Sequence, residues 1–338
     1  MPTLNRHYVA VDKRLVHYRT GGNGPPVLIL HQSPQSSTAV VPLAEKLSRD
    51  FTVIAPDTPG FGLSGPLPIA EPSIEDFADA LAVFLDSIAA PPLAVTGTHT
   101  GAEIALELAL RHPDKVQLLL LDGLPLFTQQ ESADILAHYL PDFTPQWDGS
   151  HLTWLWARLR EQLIFFPWYK KTSDYRMHFD MPPADYILGW FMDFMYAGSN
   201  YRSGYAAAFR YHPDKAISTV RPTTVCLYRP NDVLAQHQQR LPPLPAGART
   251  ENTAAGIPAM EARITEILQQ DYQLQAAWKP DATAGDNDRN FLVLDHGLLH
   301  YITAGNANKS GLLFLHATGR SADSLEQLIV LLSEHFYV

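Results

Sequence analysis

Apolar positions recur along this chain in short blocks of four to six, separated by longer stretches at helical spacing. Tyr8, Ala10, Leu15, Val16 and Tyr18 flank a polar Asp12, Lys13 and Arg14, the pattern of a hairpin. After a Gly/Pro turn cluster over 21–26, Val27–Leu30 reads as a buried strand. A helix follows from about Thr38 to Leu47, then a strand over 51–55. Ile74, Phe77, Leu81, Phe84, Leu85 and Ile88 repeat at helical spacing behind Ser73, with Asp76 three residues on as a box-like cap. Pro91 and Pro92 stop that helix. Leu93–Val95 and Val116–Leu121 are further apolar runs, with helical spacing at Ile104, Leu108 and Arg111 between them. Short apolar strands alternating with helices predict a mostly parallel, doubly wound α/β sheet.

The organising stretch is the transition from the 93–95 strand into that last helix. It reads G-T-H-T-G over 97–101, a tight turn between two glycines with His99 at its centre. Glycines belong there because the turn brings strand and helix backbones closer than Cβ atoms permit. The middle residue is held above the sheet, beside the positive end of the helix.

Four segments in register give the chain its resemblance to the α/β-hydrolase superfamily, in the cap-bearing branch of epoxide hydrolases, haloalkane dehalogenases, esterases and C–C bond hydrolases. H-Q-S-P at 31–34 resembles the loop that supplies one oxyanion-hole amide. A-P-D-T-P-G-F-G-L-S at 55–64 resembles the family's A-P-D-x-x-G-x-G-x-S stretch. Residues 96–102 resemble the nucleophile elbow, and 111–116 the link to the next strand. The likeness covers about residues 8–125, with a weaker match near 221–270. It implies an α/β-hydrolase domain over 1–278 acting on a small, mostly apolar ester, lactone or C–C bond substrate. It also implies oxyanion-hole amides at Ser33 and Thr100.

Two departures stand out. The elbow carries His99 where the family has Ser, Asp or Cys. The family's G-H-x-P-x-x-E falls on Gly256, Ile257, Pro258 and Glu261, so Ile257 occupies the place of the triad histidine. The catalytic acid maps to Asp232, at the exit of the strand ending at Tyr228; read without the resemblance, Asp232 serves equally well as the cap of a helix starting near Val233. Two readings stay open. In one, His99 is a general base oriented by Asp232, since imidazole titrates close to working pH. In the other, the elbow is a relic on a catalytically inactive ligand-binding or scaffolding domain, with catalysis in a second hydrolase copy of the same full-length chain.

Between about 124 and 212 the chain becomes dense in aromatics, where the resemblance places a helical cap. An apolar cavity is expected between cap and sheet, with Gln32, Trp168 and Tyr169 as candidate lining residues. The last fifty residues repeat the first: 291–305 matches 8–22 at an offset of 283, and 313–316 matches 28–31 at an offset of 285, running on to Val338 opposite Val53. Such repetition predicts the incomplete start of a second α/β-hydrolase domain over 291–338, joined by a polar linker at 279–290.

Composition narrows the partners. A net charge of −10 disfavours nucleic acid and anionic membrane surfaces. The single Cys226 excludes an internal disulfide and fits a reducing, cytoplasmic setting. The first residues lack the apolar core of a signal peptide, and no apolar run approaches the roughly 20 residues of a membrane span. No H-x-x-x-H pair, Cys cluster, G-x-G-x-x-G opening a first βαβ unit or phosphate-binding G-x-x-x-x-G-K-[ST] occurs, so no metal or cofactor is expected. The expected partners are a small-molecule substrate and a possible second hydrolase domain.

Overall fold

A computed structural model describes residues 4–178, 180–272, 276–280, 288–295 and 297–338. Most of the proposed linker, 281–287, lies outside the described residues.

Eight strands form one sheet in the order β1-β2-β4-β3-β5-β6-β7-β8. The antiparallel pair β1 (Asn5–Val11) and β2 (Arg14–Gly21) turns at Asp12 and Lys13, both at positive φ, as a two-residue hairpin turn requires. β2 pairs antiparallel with β4 (Thr52–Pro56). From β4 the sheet is parallel, through β3 (Pro26–Leu30), β5 (Leu93–Thr98), β6 (Val116–Asp122), β7 (Thr223–Tyr228) and β8 (Ala248–Asn252). Helices cover both faces, so β3 and β4 are buried along their whole length and read as unbroken apolar runs rather than alternating ones.

The expected 38–47 helix is split into a 3₁₀ turn over Ser37–Val40 and α1 (Val41–Leu47), with Pro42 in the first turn. α2 (Ile74–Ser87) carries the full capping box between Ser73 and Asp76. α2 packs on α3 (Thr100–Arg111). The helix expected after Asp232 is instead a 3₁₀ stretch over Ala235–Arg240.

Between β6 and β7 the chain forms α4 (Gln129–His138), α5 (Ser150–Gln162), α6 (Ala184–Ala197), α7 (Asn200–Arg210) and the short α8 (Asp214–Ile217). α4 to α7 enclose their own aromatic core, which includes Tyr139, Leu159, Trp190, Phe194, Tyr201 and Phe209. Arg158 is buried inside it, its guanidinium 5.1–5.8 Å from the rings of Tyr139, Trp168, Phe194 and Tyr201. Four ring faces replace the water such a cation would otherwise keep. Asp193 of α6 ties this layer to the loop after β3, accepting from Ser36 Oγ at 2.7 Å and from Ser36 N at 3.3 Å.

After β8, α9 (Ile257–Asp271) closes the second face. A separate antiparallel pair, β9 (Arg289–Leu294) and β10 (Gly297–Ile302), and a last helix α10 (Glu326–Ser333) complete the described chain. Among the described residues no helix is long and apolar enough to cross a membrane.

Candidate active site

The turn between β5 and α3 holds His99 at φ 48° and ψ −113°, a conformation a non-glycine residue adopts only under constraint from its surroundings. The constraints are visible. His99 N donates to Asp122 O at 3.0 Å, and His99 O accepts from Ala102 N and Glu103 N. Both glycines are packed against backbone: a Cβ on Gly97 would lie 2.2 Å from Gly101 O, and one on Gly101 2.5 Å from Leu30 O.

From this turn the imidazole reaches directly to the acid at the end of β7. His99 Nε2 lies 2.9 and 3.1 Å from the two oxygens of Asp232. An ionised carboxylate only accepts, so the network assigns the ring proton to Nε2 and leaves a lone pair on Nδ1. Nδ1 has no hydrogen bond among the described residues. Asp232 Oδ1 also accepts from Leu234 N at 2.8 Å, so the capping role and the histidine-orienting position fall on one carboxylate. Burial pushes Asp232 upward, but the charge and hydrogen bond of His99, the Arg229 guanidinium and the Leu234 amide outweigh it. They hold the carboxyl well below the usual range.

Three further residues complete the arrangement, and the sequence reading missed them. Arg229 Nη1 bonds both oxygens of Asp122, at 2.9 and 3.0 Å, while Nη2 bonds Asp232 Oδ2 at 2.5 Å. Asp122 accepts from Thr98 Oγ1 at 3.2 Å; burial raises its pKa in spite of Arg229. Gly123, at φ +63°, makes room for the ring: a Cβ there would sit 2.8 Å from His99 Cδ2 and 3.0 Å from Nε2. The available signal was positional, since Asp122, Gly123 and Arg229 all lie at the carboxyl ends of neighbouring parallel strands.

A cavity of about 160 Å³ lies between this site and the α4–α7 layer. His99, Gln32, Ser33 and Thr100 line its sheet side, and the aromatic rings of Phe127, Tyr139, Phe166, Trp190, Tyr205 and Phe209 line much of the rest. Thr100 is the first residue of α3, where a backbone N–H has no partner within the helix. Trp168 and Tyr169, expected in the lining, are absent from it. Trp168 Nε1 donates to Tyr139 O at 3.2 Å and Tyr169 Oη to Asp134 Oδ2 at 2.8 Å, so both rings are held against α4 and the residue that ends it. Ile257 is 53% exposed at the start of α9. A larger cleft of about 580 Å³ is lined by Asp232 and shares Phe127, Phe166, Met177 and Val233 with the inner cavity.

His237 borders that cleft. Its Nδ1 accepts from Leu126 N at 2.8 Å, and burial with the nearby Arg240 charge lowers its pKa to about 4. It is neutral at physiological pH and occupied as a backbone acceptor. Among the described residues no cluster of His, Cys, Asp or Glu could hold a metal ion.

This chain belongs to the α/β-hydrolase fold family, whose sequence model matches residues 25–205. Among curated relatives, it is 31% identical over 150 residues to 2-hydroxymuconate semialdehyde hydrolase of a Pseudomonas species, covering 42% of this chain and 52% of that protein. It is 37% identical over 114 residues to pimeloyl-[acyl-carrier protein] methyl ester esterase of Chromobacterium violaceum, covering 33% and 42%. The chain thus spans about half or less of the length of these relatives. Among solved structures, an esterase from Exiguobacterium antarcticum superposes with a TM-score of 0.60 at 18% identity, covering 78% of this chain and 98% of that one. Epoxide hydrolase A from Mycobacterium thermoresistibile gives 0.59 at 17% identity, covering 79% and 98%. Both are similar in fold.

Proposed function

We propose that the domain over 1–278 is a hydrolase of small, mostly apolar carbonyl compounds such as esters, lactones or cleavable C–C substrates, with His99 as general base. One observation carries this reading: His99 Nε2 is locked on Asp232 while the ring lines the cavity. In the reaction, a water in the cavity loses a proton to Nδ1 as its oxygen adds to the substrate carbonyl. Asp232 stabilises the imidazolium that forms, and the amides of Ser33 and Thr100 hold the oxyanion at roughly 3–4 kcal/mol per donor. The tetrahedral intermediate then collapses, and the proton returns from Nδ1 to the leaving group. Relatives acting on a semialdehyde and a methyl ester support carbonyl chemistry. The cavity size and its aromatic wall support a short apolar group.

The test is turnover of a panel of short-chain esters and lactones by the wild-type chain and by His99→Ala. Loss of about 10²–10⁴-fold in the variant is expected, with no labelling of the elbow by a fluorophosphonate. Turnover unchanged by His99→Ala would overturn the assignment. A second reading, a ligand-binding domain without catalysis, draws on Ile257 at the surface position where the family carries its histidine. It requires binding of the same panel with no turnover in the wild type. The expected setting is cytoplasmic, and no cofactor enters the scheme.

A further inference from the structure

The repeat in the last fifty residues extends to hydrogen-bond register. The β1/β2 hairpin closes at Val11↔Arg14 and the β9/β10 hairpin at Leu294↔Gly297, the same 283-residue offset. The parallel pairing Pro26↔Thr52 returns as the bridge Gly311↔Tyr337, at the 285-residue offset. The 3₁₀ turn Ser37–Val40 leading into α1 returns as a 3₁₀ turn Ala322–Leu325 leading into α10. Gly22 and Gly305 have φ of +88° and +93°, and a Cβ on either would sit 2.0 or 2.3 Å from the carbonyls of Phe51 and Phe336, themselves counterparts. His31 and His316 each place Nδ1 3.0 Å from the next residue's carbonyl.

The two units differ in what covers them. Leu28 and Leu30 are 0% and 3% exposed, whereas their counterparts Leu313 and Leu315 are 84% and 79% exposed. In the first unit that strand is flanked by β4 and β5 and covered by helices. In the second, no element among the described residues corresponds to β5 or its helices.

The units also meet in a symmetric way. Tyr8 stacks on its own counterpart Phe291, centroids 5.5 Å apart and planes 8° apart. Tyr8 lies 6.1 Å from His300, and the reciprocal pair Phe291–His17 lies at 6.2 Å. Arg6 sits 4.5 Å over Phe291, and its counterpart Arg289 sits 6.0 Å over Tyr8. Each contact from residue i to j′ is matched by one from j to i′, the signature of an isologous two-fold interface.

We propose that residues 289–338 open a second α/β-hydrolase unit, docked on the first across a pseudo-two-fold axis through the Arg6/Tyr8/His17 and Arg289/Phe291/His300 faces. The bare face of Leu313 and Leu315 is covered by a segment equivalent to residues 54–278, carried further along the same polypeptide. The reading is independent of the chemistry at His99.

Two measurements test it. The first reads the coding frame beyond Val338. An open frame with a Gly-flanked elbow at the 285-residue offset from Gly97–Gly101 is expected; a stop directly after Val338, or an open frame lacking that elbow, overturns the proposal. The second follows amide hydrogen exchange in the 338-residue chain, comparing wild type with Phe291→Asp and with Arg6→Glu. Slow exchange of β9 and β10 is expected in the wild type and at least tenfold faster exchange in either variant, with β5–β7 unchanged. Equal exchange in all three overturns the interface. A concentration-dependent dimer with protected 312–315 amides would assign the cover to a second copy, and would overturn the same-chain occupant.

Discussion

Two histidine–aspartate pairs of this molecule use their imidazoles differently: one ring is bonded through both nitrogens, the other through one. His17 of β2 places Nδ1 2.8 Å from Asp57 Oδ2, and its Nε2 accepts from Arg6 Nε at 3.0 Å. Both nitrogens are used, the pair is almost fully buried, and Asp57 also accepts from the amides of Ser37 and Leu63. His99 has the same chemistry on Nε2, but its other nitrogen is unclaimed and the ring lines a cavity. A histidine–carboxylate contact does not by itself mark a catalytic base. What separates the two is whether the second nitrogen is already spent.

Removing each histidine should separate the roles most sharply. His17→Ala strips a buried carboxylate and Arg6 of their partner, and should lower unfolding free energy by about 3–5 kcal/mol. His99→Ala leaves Asp232 bonded to Arg229 and Leu234 N, and should cost about 1 kcal/mol or less while removing turnover. Urea midpoints of the two variants, measured side by side, check this; equal destabilisation would erase the distinction.

The carboxylates predict opposite pH dependences. Burial raises Asp57, but the hydrogen bond and charge of His17 outweigh it and leave Asp57 well below its ordinary value, as at Asp232. The stability these two supply is present above about pH 4 and is lost as pH falls further. Asp193 has hydroxyl and amide donors but, among the described residues, no cation bonded to it, and burial raises its pKa to about 6. Its folded form binds a proton that the unfolded form releases near pH 4, so its contribution falls as pH rises from about 4 to 6. In Asp193→Asn that decline, of about 3 kcal/mol, should vanish while acid sensitivity below pH 4 remains, as read from thermal midpoints across the range.

Gly123→Ala probes the His99 pair without replacing either partner. The added methyl meets the ring edge, and the positive φ adds strain, for a cost of about 1–2 kcal/mol. Imidazole ¹⁵N spectra should show His99 losing its single Nε2–H tautomer, with His17 unchanged. A retained tautomer would show that the ring's position does not depend on the space at Gly123.

Glu103 supplies the smallest expected effect. It is fully buried in the first turn of α3, neither oxygen has a partner among the described residues, and burial holds its pKa well above the ordinary value. Glu103→Met should gain about 1 kcal/mol by removing an unsatisfied polar group, seen as a higher melting temperature.

Much of the fold was legible because it rests on local rules. The apolar runs at 27–30, 51–55, 93–95 and 116–121 need no knowledge of their neighbours to read as strands, and Ser73 with Asp76 announces α2 within four residues. The Gly97–Gly101 elbow was equally local, since backbone approach demands glycine. The 3₁₀ stretch after Asp232 was not legible, because propensity there loses to the side-chain bonds that anchor the turn.

What the sequence determined by itself was the order of strands and helices, the elbow and the repeat, all set by spacing along one chain. Only the tertiary structure decided that His99 meets Asp232, that Arg229 joins Asp232 to Asp122, and that Gly123 leaves room for the ring. It also held Trp168 and Tyr169 against α4 and bonded both nitrogens of His17. These outcomes depend on which side chains converge from strands up to 133 residues apart, and on distances of a few tenths of an ångström. Periodicity specifies which face a residue occupies, whereas a hydrogen bond requires the position of a partner that lies elsewhere in the chain.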